Sequence, residues 1–292
     1  MDTKTDGGII YWKSTAHNFR SSARLHLQHM LCQNTLGFLL EPHISQSVSS
    51  RSTDSLKIAD LACGNGIWLT DLSHELPTAT LHGFDINEIV FPSPSFLPPS
   101  VTMKKRDILS RPLAPEMTGV YDIIHVRSFL SLIHDENTTP FLSTVLAMLK
   151  PGGWLQWEEL RSDFIIEPAS PDLATDACKS LSRILRHISD RDGMTQDLVT
   201  RLDDHLVKHG FEEVHMVRSA TRKQDYKAWT DDMLMIWEAV EIYFPSRTDD
   251  PHAPVTREVW METFVKAIGE TEKGVALHPS AVFTAVGRKP AE

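Results

Sequence analysis

Residues 57–85, KIADLACGNGIWLTDLSHELPTATLHGFD, decide the fold. The apolar run at the start is typical of a parallel strand that is buried on both faces, and Gly64 and Gly66 then form a tight turn. A helix is predicted to follow until Pro77, and a second strand to end at Asp85. Strand, glycine turn, helix and acidic strand end together form the βαβ layout that holds a nucleoside.

The residues of this layout also indicate what kind of ligand it suits. The carboxylate of Asp85 can accept both hydrogen bonds of a ribose diol. The turn CGNG, followed by Ile67 and Trp68, has fewer glycines than the dinucleotide fingerprint GxGxxG. A nucleoside without a diphosphate is therefore favoured, and an ordinary strand-to-helix turn that binds no ligand is the alternative.

The motifs taken together resemble class I S-adenosylmethionine-dependent methyltransferases. DLACGNG followed by GFD resembles the first glycine motif and the acid after it, and LPPSVTMKKRDIL, YDIIHVRSF and LKPGGWLQWEEL resemble the third to fifth strands. HPSAVFTAVGRKP resembles the last strand. The phrases also resemble the fungal group that modifies secondary metabolites. The resemblance implies an α/β fold with a doubly wound, mostly parallel seven-stranded sheet, its last strand antiparallel, and S-adenosylmethionine as cofactor.

The resemblance also implies cofactor-binding positions. They are Asp60, Gly64, Gly66, Asp85, Ile86, Asp107, Ile108, Val126 and Arg127. Asp60 and the two glycines would meet the methionine moiety, Asp85 the ribose, and Ile86 one face of the adenine. Asp107 would accept the adenine amine beside Ile108, with a helix cap or surface acid as the alternative. Val126 and Arg127 would lie beneath the sulfonium, and a strand-end ion pair is the alternative for Arg127.

Histidines are the candidates for a catalytic base, because imidazole titrates near neutral pH. The candidates are His125, His134 and His17. In a chain with 14 histidines, each also has a packing or surface role as its alternative, so no single base is named. Arg24 and His29, on a predicted N-terminal helix, are candidates for a lid.

Four segments are predicted. They are a helical cap and linker over 1–55, a cofactor-binding α/β domain over 56–224, a helical cap insertion over 225–273 and a final strand over 274–292. The Ser-rich stretch 45–55 is predicted as the linker.

The insertion is where an acceptor is expected. WTDDMLMIWEAVEIYF and REVWMETFVKAI are predicted amphipathic helices, and extra segments can close over the carboxyl ends of the strands, where ligand pockets form. Trp229, Met233 and Trp237 are candidates for substrate contact. Packing onto the sheet is the alternative for each of them.

Composition excludes some classes of function. A net charge of −10 argues against a nucleic-acid partner, because phosphates need a basic surface. Three cysteines without metal-ligand spacing predict a reducing, cytoplasmic setting and no metal. No apolar stretch reaches the roughly 18 residues of a membrane span. We expect a monomer or homodimer that acts on a small molecule.

The predicted function is methyl transfer to an O, N or S atom of a small-molecule secondary metabolite. An activated methyl needs mostly alignment and desolvation. Transfer to a thiol of a dithiol metabolite is a refinement, because thiols need the least help from a base. Two alternatives stay open: a methyltransferase-like cyclase or pericyclase that binds the cofactor without transferring methyl, and a regulatory subunit of a complex.

Overall fold

The computed structural model describes residues 19–49, 52–161 and 164–292. The helices are α1 Phe19–Leu36, α2 Pro42–Val48, α3 Ile67–Glu75, α4 Thr139–Met148, α5 Asp176–Arg191, α6 Leu202–Lys208, α7 Tyr226–Ala239 and α8 Arg257–Glu272. The strands are β1 Lys57–Leu61, β2 Thr80–Asp85, β3 Val101–Lys105, β4 Tyr121–Arg127, β5 Leu149–Leu160, β6 Ile165–Pro168, β7 Glu212–Ala220, β8 Val275–His278 and β9 Ala281–Arg288. Within these ranges, no helix combines the length and the hydropathy needed to cross a membrane.

One sheet has the strand order β3–β2–β1–β4–β5–β9–β7. Strands β1 to β5 pair in parallel, whereas β9 runs antiparallel to both β5 and β7. Because strand order reverses between β1 and β4, helices cover both faces, and the loops after these two strands meet at one edge. The predicted fold class is confirmed: the sheet has seven strands, is mostly parallel, and has its last strand antiparallel.

The two faces of the sheet carry separate apolar cores. Neighbouring residues of a strand point to opposite faces, so Ile123 and Ile124 of β4 belong to different clusters. The cluster with Ile123 packs under α2 and α3 through residues such as Leu69. The cluster with Ile124 packs under α4 and α6 through Leu142 and Leu206. The turn after β1 and the end of β4 lie beside α1, where Leu25 contacts Gly64 and His29 contacts Arg127.

Helices α5, α7 and α8 share a third core, which contains Leu181, Trp237 and Trp260. A small antiparallel sheet of β6 and β8 packs with them; this sheet has no counterpart among the predicted elements. Helix α1 packs on α7, and Leu31 and Cys32 of α1 form a cluster with Trp229. The N-terminal helix and the late helices therefore meet directly.

Helix α2 begins before the stretch 45–55 and occupies part of it, where a Ser-rich linker was expected. Pro42 lies in the first turn, where its missing N–H is no loss, and the Glu41 side chain accepts a hydrogen bond from the backbone N–H of His43. Ile44 and Val48 are buried one turn apart. These apolar positions, rather than the serines between them, determine the local structure.

Candidate functional site

The glycine turn after β1 is joined to the end of β2. Gly64 has φ +54° and Gly66 has φ +73°, a region that glycine adopts without Cβ strain. Gly66 precedes α3 as its N-cap, and the backbone N–H of Gly64 donates to Oδ2 of Asp85 over 2.8 Å. The turn and the acid therefore form one hydrogen-bonded unit, in the layout that the sequence predicts.

Asp85 is the polar centre of this unit. It is only 2% exposed, and its Oδ1 accepts a hydrogen bond from the backbone N–H of Asn87 at 2.9 Å. Burial raises the pKa of Asp85 to about 6, against the opposing effect of these hydrogen bonds. Since an ionised carboxylate has about four acceptor positions, some remain for hydroxyl donors. Ile86 beside it is 52% exposed and offers an apolar face.

Asp107 and Ile108 follow β3 and have different surroundings. Asp107 is exposed, and its carboxylate accepts hydrogen bonds from the Leu109 backbone N–H and the Ser110 hydroxyl, both at 2.9 Å. Ile108 is buried in the core. Asp107 thus caps a local turn here, and its contact with an adenine amine stays a prediction.

A buried polar network lies under the carboxyl ends of β1, β4 and β5. Nδ1 of His125 is 2.7 Å from Oδ1 of Asp60, and its Nε2 is 3.5 Å from Oε2 of Glu158. Arg127 donates from Nε to the same Glu158 oxygen over 2.6 Å. The imidazole of His125 also stacks on Trp68 with ring centroids 3.8 Å apart. Two predicted cofactor residues, Asp60 and Arg127, therefore belong to one network.

In this network, neighbouring groups of opposite charge change the pKa values more than burial does. Burial lowers the pKa of His125, but Asp60 and Glu158 together raise it above its ordinary value. Burial likewise raises the pKa of Glu158, but Arg127 and His125 bring it down to about 2. The raised pKa favours the imidazolium form of His125 between the two carboxylates, and that form cannot accept a proton as a base.

Helix α1 reaches the network through His29. Arg127 donates from Nη1 to Nδ1 of His29 over 3.0 Å, and Nε2 of His29 lies 2.9 Å from Oδ2 of Asp71. Burial and the nearby Arg127 lower the pKa of His29 to about 4. A neutral imidazole that accepts at Nδ1 and donates at Nε2 satisfies both partners. The lid candidate His29 is thus hydrogen-bonded to a predicted cofactor residue.

His134, another candidate base, is not part of the network. His134 is half-buried and lies 2.8 Å, through Nδ1, from the carbonyl oxygen of Asp192, so that nitrogen acts as a donor. His17 lies outside the described residues. The side chain of Val126, a predicted cofactor residue on β4, is fully buried and offers no polar group to a ligand.

The candidate substrate residues are buried in helix packing. Trp229, Met233 and Trp237 are each at most 3% exposed. Trp229 packs with α1, whereas Met233 and Trp237 pack in the core between α7 and α8. Contact of these side chains with an acceptor stays a prediction, and this conformation shows them in packing roles.

Sequence reasoning did not single out Gln156 and Glu158 on β5. Gln156 donates from Nε2 to Glu158 over 2.6 Å and accepts, through Oε1, from the backbone N–H of Glu41. The available signal is the placement of polar residues inside a strand that is otherwise buried, in WLQWEEL. A buried carboxylate needs a partner on a neighbouring strand, and here that partner is Arg127.

The residues present fit S-adenosylmethionine at both ends. The buried carboxylate of Asp85 keeps free acceptor positions beside the exposed Ile86, which suits a ribose and an adenine. Nη2 of Arg127 is buried, and within the described residues it has no hydrogen-bond partner, which suits a carboxylate. Leu25 of α1 covers Gly64, with Cδ1 3.0 Å from where a Cβ would stand. Helix α1 therefore closes over the glycine turn.

Comparisons with known proteins agree with this geometry. Residues 58–153 match the family model described as a methyltransferase domain. The chain is 33% identical over 161 residues to the N-methyltransferase tcpN of Claviceps purpurea, covering 54% of each chain. It is 33% identical over 146 residues to the methyltransferase grgD of a Penicillium species, covering 47% of this chain and 48% of that one. The match thus spans about half the length of these curated relatives.

A similar solved structure is the SAM-dependent methyltransferase of Geobacter sulfurreducens in complex with S-adenosyl-L-homocysteine. Its TM-score is 0.46 at 12% identity, and the alignment covers 89% of this chain and 97% of that one.

Proposed function

We propose that this chain, whose residues 58–153 match a methyltransferase domain, is a class I S-adenosylmethionine-dependent methyltransferase that transfers a methyl group to a small molecule of fungal secondary metabolism. The observation that carries the proposal is the unit formed by Gly64, Gly66 and Asp85, because it joins a close-approach turn to a buried acceptor of hydroxyl hydrogen bonds. The relatives named above support the substrate class.

The chain's own residues bind and orient the cofactor. Asp85 accepts from the ribose hydroxyls, Ile86 covers the adenine, and Arg127 donates from Nη2 to the methionine carboxylate. Helix α1, fastened by His29, excludes water from the glycine turn. When bound, S-adenosylmethionine supplies an activated methyl on its sulfonium. His125 lies between Asp60 and Glu158, which favour its protonated form, and it is not assigned the role of a base.

Nitrogen is the acceptor atom that we infer, because the site suits an amine better than a hydroxyl and the names of the relatives favour nitrogen over sulfur. An amine carries its own lone pair and needs no base when it reaches the site neutral, whereas a hydroxyl needs one. The raised pKa of His125 favours the imidazolium form, which cannot act as a base, and His134 lies outside the network around Asp60 and Glu158. Several relatives are named N-methyltransferases, which points the same way.

Cofactor binding tests the proposal directly. Isothermal titration of the folded protein with S-adenosylmethionine should show one site. Asp85→Asn should weaken binding by about 10-fold to 100-fold, because a charge-assisted hydrogen bond contributes about 1.5–3 kcal/mol. Asp190→Asn, which changes an exposed acid away from the site, is the matched control and should bind normally. Absence of binding to folded wild-type protein would contradict the proposal.

Product analysis tests the reaction and its acceptor atom. The enzyme is incubated with methyl-labelled cofactor and matched amine, hydroxyl and thiol small molecules, and S-adenosylhomocysteine is measured. We expect release of S-adenosylhomocysteine with label on nitrogen. Label on sulfur or oxygen would refute the nitrogen assignment alone. Cofactor binding without release of S-adenosylhomocysteine, even with extract of a producing fungus, would favour a cyclase or regulatory role.

A further inference from the structure

Two histidines and a glutamate meet away from the glycine turn, where α2 approaches the edge strand β7. Glu41 immediately precedes α2, His43 lies in the first turn of that helix, and His215 lies on β7. One ligand atom from each of the three residues lies within 4.8 Å of the others. In the part of the chain that the structure describes, this is the one such cluster of three.

The distances in this cluster suit a small divalent ion. Nδ1 of His43 is 3.0 Å from Oε1 of Glu41, and Nε2 of His215 is 3.1 Å from the same oxygen. Zinc bonds to nitrogen and oxygen of about 2.0–2.2 Å place tetrahedral ligand atoms about 3.3 Å apart. The two distances from Glu41 therefore lie within a few tenths of an ångström of this spacing, and all three ligand atoms lie within 4.8 Å of one another.

Burial and donor chemistry support the same assignment. The side chain of Glu41 is 3% exposed, whereas those of His43 and His215 are 65% and 30% exposed, which leaves a fourth position open to water. The cluster offers one carboxylate oxygen and two imidazole nitrogens, which are donor atoms that zinc accepts.

The supporting residues hold Glu41 in place. Its backbone N–H donates to Oε1 of Gln156 over 2.8 Å, and its Oε2 accepts from the backbone N–H of His43 over 2.7 Å. Oε1 is left to face the two imidazoles. Such outer contacts orient a metal ligand before the ion arrives.

We propose that Glu41, His43 and His215 bind one Zn²⁺ ion, which links the start of α2 to β7 and so fastens the N-terminal helices to the edge of the sheet. Imidazole and carboxylate ligands suit zinc, and the open fourth position takes a water. The site shares no residue with those assigned to S-adenosylmethionine, and Gln156 and Glu158 connect Glu41 to Arg127 by hydrogen bonds. It also differs from the prediction of no metal, which rested on cysteine spacing alone.

Metal titration of untagged protein tests the proposal. We expect one Zn²⁺ per chain by isothermal titration, an increase in melting temperature on zinc addition, and the intense visible bands of tetrahedral Co²⁺ when cobalt replaces zinc. Cys32, Cys63 and Cys178 are buried and do not compete at the surface. Failure of folded wild-type protein to bind one equivalent of zinc would overturn the proposal.

Variants locate the bound ion. His43→Ala and His215→Ala should each weaken zinc binding by at least about tenfold and abolish the cobalt bands, because loss of a ligand costs more than loss of an outer contact. His74→Ala, which removes an exposed histidine outside the cluster, should bind like the wild type. Circular dichroism verifies that each variant is folded. Wild-type affinity in both cluster variants would overturn the proposal.

Discussion

At the scale of single residues, the environment of His29 determines its charge. An exposed histidine titrates near pH 6.5. His29 is 3% exposed and faces the guanidinium of Arg127, so burial and that charge lower its pKa to about 4. The neutral imidazole then accepts one hydrogen bond from Arg127 and donates another to Asp71. The same residue type at His125, between two carboxylates, has its pKa raised.

The lowered pKa of His29 predicts acid sensitivity. The unfolded chain takes up a proton near pH 6.5, whereas the folded chain does so only near pH 4. The contribution of His29 to the free energy of unfolding is therefore complete above pH 6.5 and falls as pH drops to 4, by roughly 3 kcal/mol.

Urea unfolding at several pH values measures this effect. Between pH 6.5 and 4, the free energy of unfolding of His29→Gln should fall less than that of the wild type. At pH 6.5 the variant should be the less stable of the two proteins. His74→Gln, at an exposed position, should show the wild-type slope. If the free energy of unfolding changes equally with pH in all three proteins, the titration of His29 is not a cause of the acid sensitivity.

At the scale of elements, glycines have opposite roles in β2 and α8. A Cβ on Gly83 of β2 would stand 2.8 Å from both Sγ of Cys63 and Cδ1 of Leu69, so the small residue permits α3 to pack closely on the sheet. Gly269 lies inside α8, and no atom stands within 4 Å of the equivalent position. The first glycine is required by packing and the second is not.

Alanine substitutions should therefore change stability in opposite directions. Gly83→Ala overpacks the α3 interface and should lower the free energy of unfolding by about 1–3 kcal/mol. Gly269→Ala reduces the entropy of the unfolded chain and should raise it by about 0.5–1 kcal/mol. Chemical denaturation measures both values, and destabilisation by Gly269→Ala would show an unrecognised constraint in α8.

At the scale of the whole molecule, the N-terminal helix is joined to the late helices by charge. On α1, Arg24 is 3.6 Å from Asp232 of α7, whose side chain is only 1% exposed. Burial raises the pKa of Asp232 to about 6, although Arg24 and Gln28 oppose that rise. Two segments that are far apart in sequence therefore form one cover, and it closes over the glycine turn through α1.

Breaking the buried pair should loosen this cover. Arg24→Met leaves Asp232 buried with only Gln28 beside it and should cost roughly 3 kcal/mol of unfolding free energy. Adding Asp232→Asn should recover much of that loss. The matched control is Arg20→Met, which removes an exposed pair on the same two helices and should cost less than about 1 kcal/mol.

Denaturation and hydrogen exchange provide the readouts. Amide exchange in α1 should accelerate in Arg24→Met and not in Arg20→Met. If both variants show the same loss of unfolding free energy and the same amide exchange in α1, the pair of Arg24 and Asp232 does not hold α1 on α7.

Local sequence patterns were enough to predict the main sheet and the order of the residues along its first two strands. Apolar runs, Gly64, Gly66 and Asp85 predict a strand, a turn and an acid from local preferences, and the structure has them in that order. The antiparallel last strand also followed from its motif. Such features depend on residues that are neighbours in the chain, so short-range physics is enough to indicate them.

Which charged side chains contact each other became known only from the folded chain. Glu158 pairs with Arg127 across two strands, and Glu41 meets His215 across 174 positions of sequence. Neither spacing nor composition reports such contacts, because they depend on how separate elements pack. The same packing buried Trp229 and placed Asp107 at an exposed turn. Burial sets the local dielectric and hence the protonation of each group, so ionisation and metal ligation follow from the fold as a whole.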